Sequence, residues 1–150
     1  MTQYPLKFPV KSSAPSGIQT PWQSQADHHQ YEVPVSIPPE FEGPGAGLSP
    51  EDLYAMALQN CFVATFKVLA EKSRLHYENL NSRAVLEVDR DEKGRPWMAR
   101  IHFKIQLTGV QQPENAKRLL EKTSQSCMIL NSVKTEKTFD FEITTADSGT

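Results

Sequence analysis

The sequence predicts an α+β fold for this chain of 150 residues. The first observation behind this prediction is a well-capped stretch that starts at residue 50, carries no charge from 53 to 66 and is long enough for a buried helix. The second is the run 97–107, in which apolar side chains alternate with polar ones as in a half-buried strand. The third is the order of the predicted elements, which is strands, long helix, two strands, helix and strand. Such an order is typical of α+β domains.

The first half of the chain is rich in proline. Nine of the eleven prolines lie at or before residue 50. Each proline fixes φ and removes a backbone donor, so short strands at sheet edges are expected here rather than a long helix. Aromatic and β-branched residues continue through this half, which argues against low-complexity disorder. We expect its strands at residues 4–10, 18–23 and 30–37.

A long helix is predicted to begin at Pro50 and to end at about residue 73. Ser49 is a natural N-cap, and proline suits the first helical position. The next two residues are acidic, and the helix dipole favours acids in the first turn. The stretch 53–66 carries no charge and is apolar nearly all round. It is therefore expected to be buried on most sides, by a sheet or by a second subunit.

The second half of the chain shows clearer strand and helix patterns. A turn with glycine at its end separates the first two strands, and Pro113 opens the second helix. The expected elements are a strand at 84–89, the turn at 91–94, a strand at 97–107, a helix at 113–124 and a last strand at 139–143. We expect one domain over residues 1–150, with strands and connector in 1–48 and the core of helix and sheet in 49–150.

Composition excludes several classes of function. The chain has 16 basic and 18 acidic residues, so its net charge is −2. It therefore lacks the excess of basic residues that is typical of proteins that bind nucleic acid. We expect no membrane span, because no apolar run reaches about 18 residues. No secretory signal is visible, so a cytoplasmic location is expected. Neither a phosphate-binding loop nor a dinucleotide fingerprint is present, and no cofactor is expected.

Histidines offer weak alternatives for chemistry. His28 and His29 are adjacent, but no grouping of further ligands supports a metal site, so a solvated loop pair is the favoured interpretation and no metal is expected. His76 and His102 could each act as a base, although both are better explained as surface residues. Two cysteines are too few for a disulfide scaffold.

Two cysteines and one glutamate are the remaining candidates. Cys61 lies in the middle of the uncharged helix, and Cys127 follows the second helix, 66 residues later. Either could simply be a buried apolar side chain, but a Cys127 at the start of a short helix would have a lowered thiol pKa. Glu51 precedes Cys61 by ten residues, an axial rise of about 15 Å on a helix, so the two cannot touch on one helix.

The motifs around these cysteines resemble the OsmC/Ohr family of thiol peroxidases. The segment 49–62 resembles the family signature, in which a small polar residue precedes Pro-Glu-x-Leu, a run of small apolar residues and Cys-Phe. The segment 126–132 is similar to the second cysteine site, with Asn-Ser shortly after the thiol, and 38–45 resembles the connector of an OsmC-like subgroup. The resemblance covers about residues 30–145.

The resemblance implies an intertwined homodimer with two active sites at the subunit interface, and the reduction of organic hydroperoxides. By that resemblance Cys61 is the peroxidatic thiolate, which becomes a sulfenic acid. Cys127 then resolves it as an intramolecular disulfide. Glu51 would orient a basic partner beside Cys61, and in the dimer each helix start could serve the other subunit's site. The implied reductant is a dithiol, with a lipoylated protein as one candidate.

The sequence departs from the family pattern in its basic residues. The family's peroxidases use an arginine in the N-terminal part, whereas the first arginine here is Arg74 and Glu40 lies where the OsmC branch has that arginine. Lys7 or Lys11 would have to take the place of that arginine. This departure motivates an alternative function, a non-catalytic OsmC-like dimer that binds an apolar small molecule in the interface pocket beside Cys61.

Overall fold

Two three-stranded sheets organise the chain, one in each half. The computed structural model of the protein describes residues 2–146. Two compact units, Met1–Leu53 and Tyr54–Thr150, divide the chain. The expectation of one domain over the whole chain stays a prediction, and each unit is described by itself.

The first sheet is antiparallel with strand order β1-β2-β3. Its strands are β1 (Val10–Ser13), β2 (Trp22–Ala26) and β3 (Val33–Val35). The first two strands were predicted at 4–10 and 18–23, which is too early in the sequence. Pairing begins just after Pro9 and Pro21, since proline cannot donate to a ladder. β3 contains Pro34 and lies at the sheet edge, the position that proline tolerates.

The first helix, α1 (Pro50–Lys72), starts where the sequence predicts. Ser49 and Asp52 form a reciprocal cap: the Ser49 N–H donates to Asp52 Oδ2 and the Asp52 N–H donates to Ser49 Oγ, both at 2.9 Å. Because each satisfies a backbone donor that the first turn leaves unpaired, this pair fixes the first residue of the helix. The predicted N-cap is confirmed.

Within the chain, α1 buries one stripe rather than most of its sides. The buried residues recur every fourth position: Leu58, Phe62, Phe66 and Ala70. On other faces the side chains of Met56 and Val68 are 43% and 52% exposed. By length and composition alone, α1 is also the one helix among residues 2–146 that could cross a membrane, a test that the core helix of a soluble protein passes as well. The expectation of no membrane span was based on the length of continuous apolar runs, which is a different criterion, and it stays a prediction.

The second sheet has the order β4-β5-β6. The strands β4 (Asn79–Arg90) and β5 (Pro96–Val110) form an antiparallel hairpin, whose turn ends at Gly94 with φ +78°. The chain then crosses through α2 (Pro113–Ser126) to β6 (Glu136–Thr145), which pairs parallel to β5. All the predicted elements of this half are confirmed, although the strands are longer than predicted. The α+β fold class is confirmed.

One face of the second sheet carries the hydrophobic core. The inward residues of β5 alternate along the strand and are all buried: Ala99, Ile101, Phe103, Ile105 and Leu107. Phe62 of α1 packs on this face, with its ring centroid 5.6 Å from that of Phe139 on β6. The inner residues of α2 join the same cluster. Both helices therefore cover one face, and the opposite face keeps polar side chains such as His102 and Lys104 in solvent.

Candidate functional site

Cys61 and Cys127, the two cysteines singled out in the sequence, meet in the structure. Their Sγ atoms are bonded to each other, and their Cα atoms lie 6.2 Å apart. This Cα separation is within the ordinary range for a disulfide. The bond joins the middle of α1 to the residue that follows α2.

The two cysteines differ in exposure. Cys61 is half-buried, whereas the next residue, Phe62, belongs to the buried stripe of α1. Cys127 has no solvent-accessible surface and belongs to the hydrophobic core. Solvent and a small reagent therefore reach Cys61 more easily than Cys127.

Cys127 does not begin a helix. It is the C-cap of α2, with extended backbone angles (φ −70°, ψ 120°). The short 3-10 helix Leu130–Ser132 starts three residues later. The lowered thiol pKa that a helix start would have given Cys127 therefore has no basis in this structure.

The turn after Cys127 is held by its own hydrogen bonds. The Asn131 N–H donates to the Cys127 carbonyl at 3.0 Å, and Asn131 Nδ2 donates to the Gln125 carbonyl at 2.9 Å. Ser132 donates its hydroxyl hydrogen to the Met128 carbonyl at 2.7 Å. The Asn-Ser pair that the sequence singled out therefore fixes the backbone around the second cysteine.

A backbone donor that sequence reasoning missed reaches the first cysteine. The N–H of Ile129 donates to Cys61 Sγ, with nitrogen and sulfur 3.4 Å apart. A backbone group carries no residue-type signal, so only the folded turn could reveal it. The flanking side chains are apolar and accessible: Met128 is 76% exposed and Ile129 is 40% exposed.

Polar contacts fix α1 beside the second sheet. Ser82 on β4 donates its hydroxyl hydrogen to Gln59 Oε1 at 3.0 Å. Tyr54 Oη lies 2.6 Å from Thr135 Oγ1, one residue before β6. Gln59 and Tyr54 both lie less than two turns from Cys61 in sequence, so these contacts set the position of the helix segment that bears the thiol.

Glu51 lies in the first turn of α1, as predicted. Its Oε1 atom is shielded from solvent and has no hydrogen-bond partner within residues 2–146. Lys7 and Lys11 are both exposed. Nothing in these observations tests the roles that the family resemblance implies for the three side chains, so those roles stay predictions.

The contacts of His102 and His29 do not involve either cysteine. His102 is on the polar face of the second sheet, where Nδ1 is 2.6 Å from Thr138 Oγ1 and Nε2 is 3.0 Å from Asp140 Oδ2. His29 stacks on Tyr31, with ring centroids 6.4 Å apart. Among residues 2–146 no three side chains of histidine, cysteine, aspartate or glutamate are grouped as a metal site would require.

The sequence of the chain matches the family model for OsmC-like proteins over residues 43–142. The chain belongs to the OsmC-like protein family. An uncharacterised relative from Acinetobacter baylyi is 28% identical over 116 residues, which are 76% of this chain and 78% of that protein.

Solved structures of OsmC-like proteins share the fold. An OsmC-like protein of unknown function from Vibrio cholerae superposes with a TM-score of 0.80 at 18% identity, covering 91% of this chain and 99% of that one. The organic hydroperoxide resistance protein OsmC from Legionella pneumophila superposes with a TM-score of 0.71, also at 18% identity, covering 95% and 99%. The OsmC-like fold predicted from the motifs is therefore confirmed.

Proposed function

We propose that this OsmC-like protein is a thiol peroxidase that reduces organic hydroperoxides with Cys61 and Cys127. The observation that carries the proposal is the bonded pair of sulfurs, one half-buried and one fully buried. An accessible thiol that reacts first and a shielded thiol that follows are what a two-cysteine mechanism needs. The name of the Legionella relative, an organic hydroperoxide resistance protein, supports the substrate class.

The proposed reaction has two steps on the protein. The Cys61 thiolate attacks the terminal oxygen of the hydroperoxide; an S–O bond forms, the O–O bond breaks, and the departing alkoxide takes a proton and leaves as an alcohol. Cys127 then attacks the sulfenic sulfur; an S–S bond forms, the S–O bond breaks, and hydroxide takes the Cys127 proton and leaves as water. An external dithiol, for which a lipoylated protein is one candidate, restores both thiols and becomes a disulfide.

We propose further that the active protein is a cytoplasmic homodimer, in which each subunit covers the exposed side of α1 of its partner. At 100° per residue, Ala57, Ala64 and Val68 lie opposite the buried stripe, and all three are exposed in the single chain. Small and apolar residues on one helix face allow a second helix to approach closely. Cys61 borders this face, so the partner would form part of the site. Glu51 of one subunit would then orient a basic side chain, with Lys7 or Lys11 as the candidates.

The assembly is tested by light scattering after size exclusion. We expect a dimer for the wild type and a monomer for Ala64→Glu, because the new carboxylate would be buried without a partner. The matched control is Gln111→Glu, which adds the same charge at another exposed position and should leave the dimer intact. A monomeric wild type would contradict the proposed assembly.

The peroxidase proposal is tested by thiol counting. Reduced protein treated with one equivalent of cumene hydroperoxide should lose both thiols and release one equivalent of alcohol. Cys61→Ser should release none. Cys127→Ala should still release one equivalent and should accumulate a sulfenic acid that dimedone traps. Survival of both wild-type thiols would overturn the proposal.

The alternative function is a non-catalytic dimer that binds an apolar small molecule. A cysteine pair too far apart to bridge would have favoured it, whereas the Cα separation of 6.2 Å supports the redox proposal. Thermal-shift measurements with fatty acyl compounds separate the two functions. Stabilisation by such a ligand, together with inert thiols, would favour the alternative.

A further inference from the structure

We propose that the backbone N–H of Ile129 holds Cys61 in its thiolate form, so that the turn after the second cysteine activates the first. The inference rests on the proposed function and names the group that prepares its nucleophile. Its basis is the contact between the Ile129 nitrogen and Cys61 Sγ at 3.4 Å. A thiolate is a better acceptor than a thiol, so a fixed donor at the sulfur favours the ionised form and lowers the thiol pKa.

The same turn gives the two cysteines opposite environments. Cys61 receives a backbone donor and is partly solvated. Cys127 is fully buried among apolar side chains, and burial in apolar surroundings raises the pKa of a thiol because it disfavours the charged form. The asymmetry therefore selects Cys61 as the thiol that reacts first with a hydroperoxide.

The donor is held in place by the turn itself, in the oxidised form of the cysteine pair that the structure shows. Ile129 has helical backbone angles (φ −67°, ψ −42°), and its carbonyl accepts the Ser132 N–H at 3.0 Å. The Ser132 hydroxyl fixes the Met128 carbonyl one residue earlier. Neither of these hydrogen bonds involves a sulfur atom, so we expect the turn to keep the Ile129 N–H directed at Cys61 when the disulfide is reduced.

The turn offers a matched pair of proline substitutions. Ile129→Pro removes the donor, and the observed φ of −67° is the value that proline requires. Met128→Pro puts the same ring one residue earlier and keeps the Ile129 N–H. The preceding residue, Cys127, has the extended angles that a residue before proline prefers. Both are made in the Cys127→Ala background of the full chain, reduced, so that Cys61 is the one reacting thiol.

The readout is the rate of alkylation of Cys61 by iodoacetamide from about pH 5 to pH 10. We expect Ile129→Pro to react about tenfold more slowly than its parent at about pH 6, with its rate profile displaced to higher pH, because the lost bond is one to a charged group. Met128→Pro should stay within about twofold of the parent. Equal slowing by both prolines, or an unchanged rate in folded Ile129→Pro, would overturn the inference.

A second measurement needs no change in the turn. In the amide NMR spectrum of the Cys127→Ala protein, the Ile129 proton should shift with the same midpoint pH as the Cys61 alkylation rate, and Cys61→Ser should abolish that shift. An Ile129 proton that ignores the ionisation of Cys61 would overturn the inference even if Ile129→Pro does not fold. Neither measurement uses peroxide, so protein that passes both but keeps its thiols in cumene hydroperoxide would refute the peroxidase proposal alone.

Discussion

Tyr54 donates its hydroxyl hydrogen to Thr135 Oγ1, 2.6 Å away. The direction of this bond follows from the next one, in which Thr135 Oγ1 donates its single hydrogen to the Met98 carbonyl at 2.8 Å. Thr135 is 2% exposed, so the two bonds form a shielded chain from α1 through the start of β6 to β5. This chain fixes the helix that bears Cys61 against the sheet.

Replacing Tyr54 with phenylalanine should destabilise the protein by about 1 kcal/mol, because one shielded hydrogen bond is lost. Thr135→Val should cost more, since it leaves both the Tyr54 hydroxyl and the Met98 carbonyl without a partner. Urea unfolding of both variants and of the double variant gives the coupling between them. Strictly additive effects would show that the two side chains do not interact.

Reducing the bond between Cys61 and Cys127 should destabilise the fold by up to about 4 kcal/mol, because the bond closes a loop with a sequence separation of 66. Unfolding in urea with and without a thiol reductant measures the difference. The control is Cys61→Ala, in which the reductant should have no effect. If oxidised and reduced wild type unfold at the same urea concentration, the bond does not constrain the unfolded chain.

Gly109 interrupts β5 at a change of register between Leu107 and Val110. Its φ of +66° is in the left-handed region, and an added Cβ would lie 2.8 Å from Glu78 Cβ. Gly94 has a φ of +78° with nothing within 4 Å of an added Cβ. Gly94→Ala should therefore cost about 1 kcal/mol from backbone conformation alone.

Gly109→Ala should cost at least about 1 kcal/mol more than Gly94→Ala, because overlap with Glu78 is added to the same backbone strain. Chemical denaturation of the two variants measures this difference directly. Equal losses would mean that Glu78 moves aside without penalty.

Asp89 should contribute to stability in a pH-dependent way. Its hydrogen bond from Arg100 Nη2 at 2.7 Å, and a second from the Arg90 N–H, hold the pKa of Asp89 below its ordinary value of 3.8. A lowered folded-state pKa gives a contribution that is fully present well above 3.8 and is lost as pH falls through the folded value. The stability gap between wild type and Asp89→Asn should therefore shrink as the pH is lowered from about 7 to about 3.

The partner of Asp89 provides the control for this pH effect. Arg100→Gln should remove the Asp89 contribution to the pH dependence of stability as Asp89→Asn does, and it also removes the pair of Arg100 with Glu87. The double variant should show no further loss of the Asp89 contribution. Since the pair is exposed, high salt should reduce the gap at neutral pH. A gap that stays constant with pH would contradict the assigned cause of the pKa shift.

Local patterns in the sequence determined most of the second half of the chain. The cap at Ser49 fixed the start of α1, and the alternation along 97–107 identified β5 and its buried face. These features depend on neighbours within a few residues, so one sequence is enough to identify them. Strand ends were underestimated because residues such as Asn79 and Arg90 pair through their backbones and carry no hydrophobic signal.

The first sheet was harder to place from sequence. The strands predicted at 4–10 and 18–23 begin later, at Val10 and Trp22. Three- to five-residue strands with little buried surface have hardly any periodicity, and the backbone pairs that define them are between residues distant in the chain.

The sequence by itself therefore determined the α+β class, the long helix, the candidate cysteines and, through their motifs, the family. Only the tertiary structure decided that the Cys61 and Cys127 sulfurs are joined, that Cys127 ends a helix rather than beginning one, and that a backbone N–H of Ile129 reaches Cys61. The physical reason is that the two contacts of Cys61 join residues 66 and 68 positions apart, and one of them uses a backbone group that every residue except proline carries.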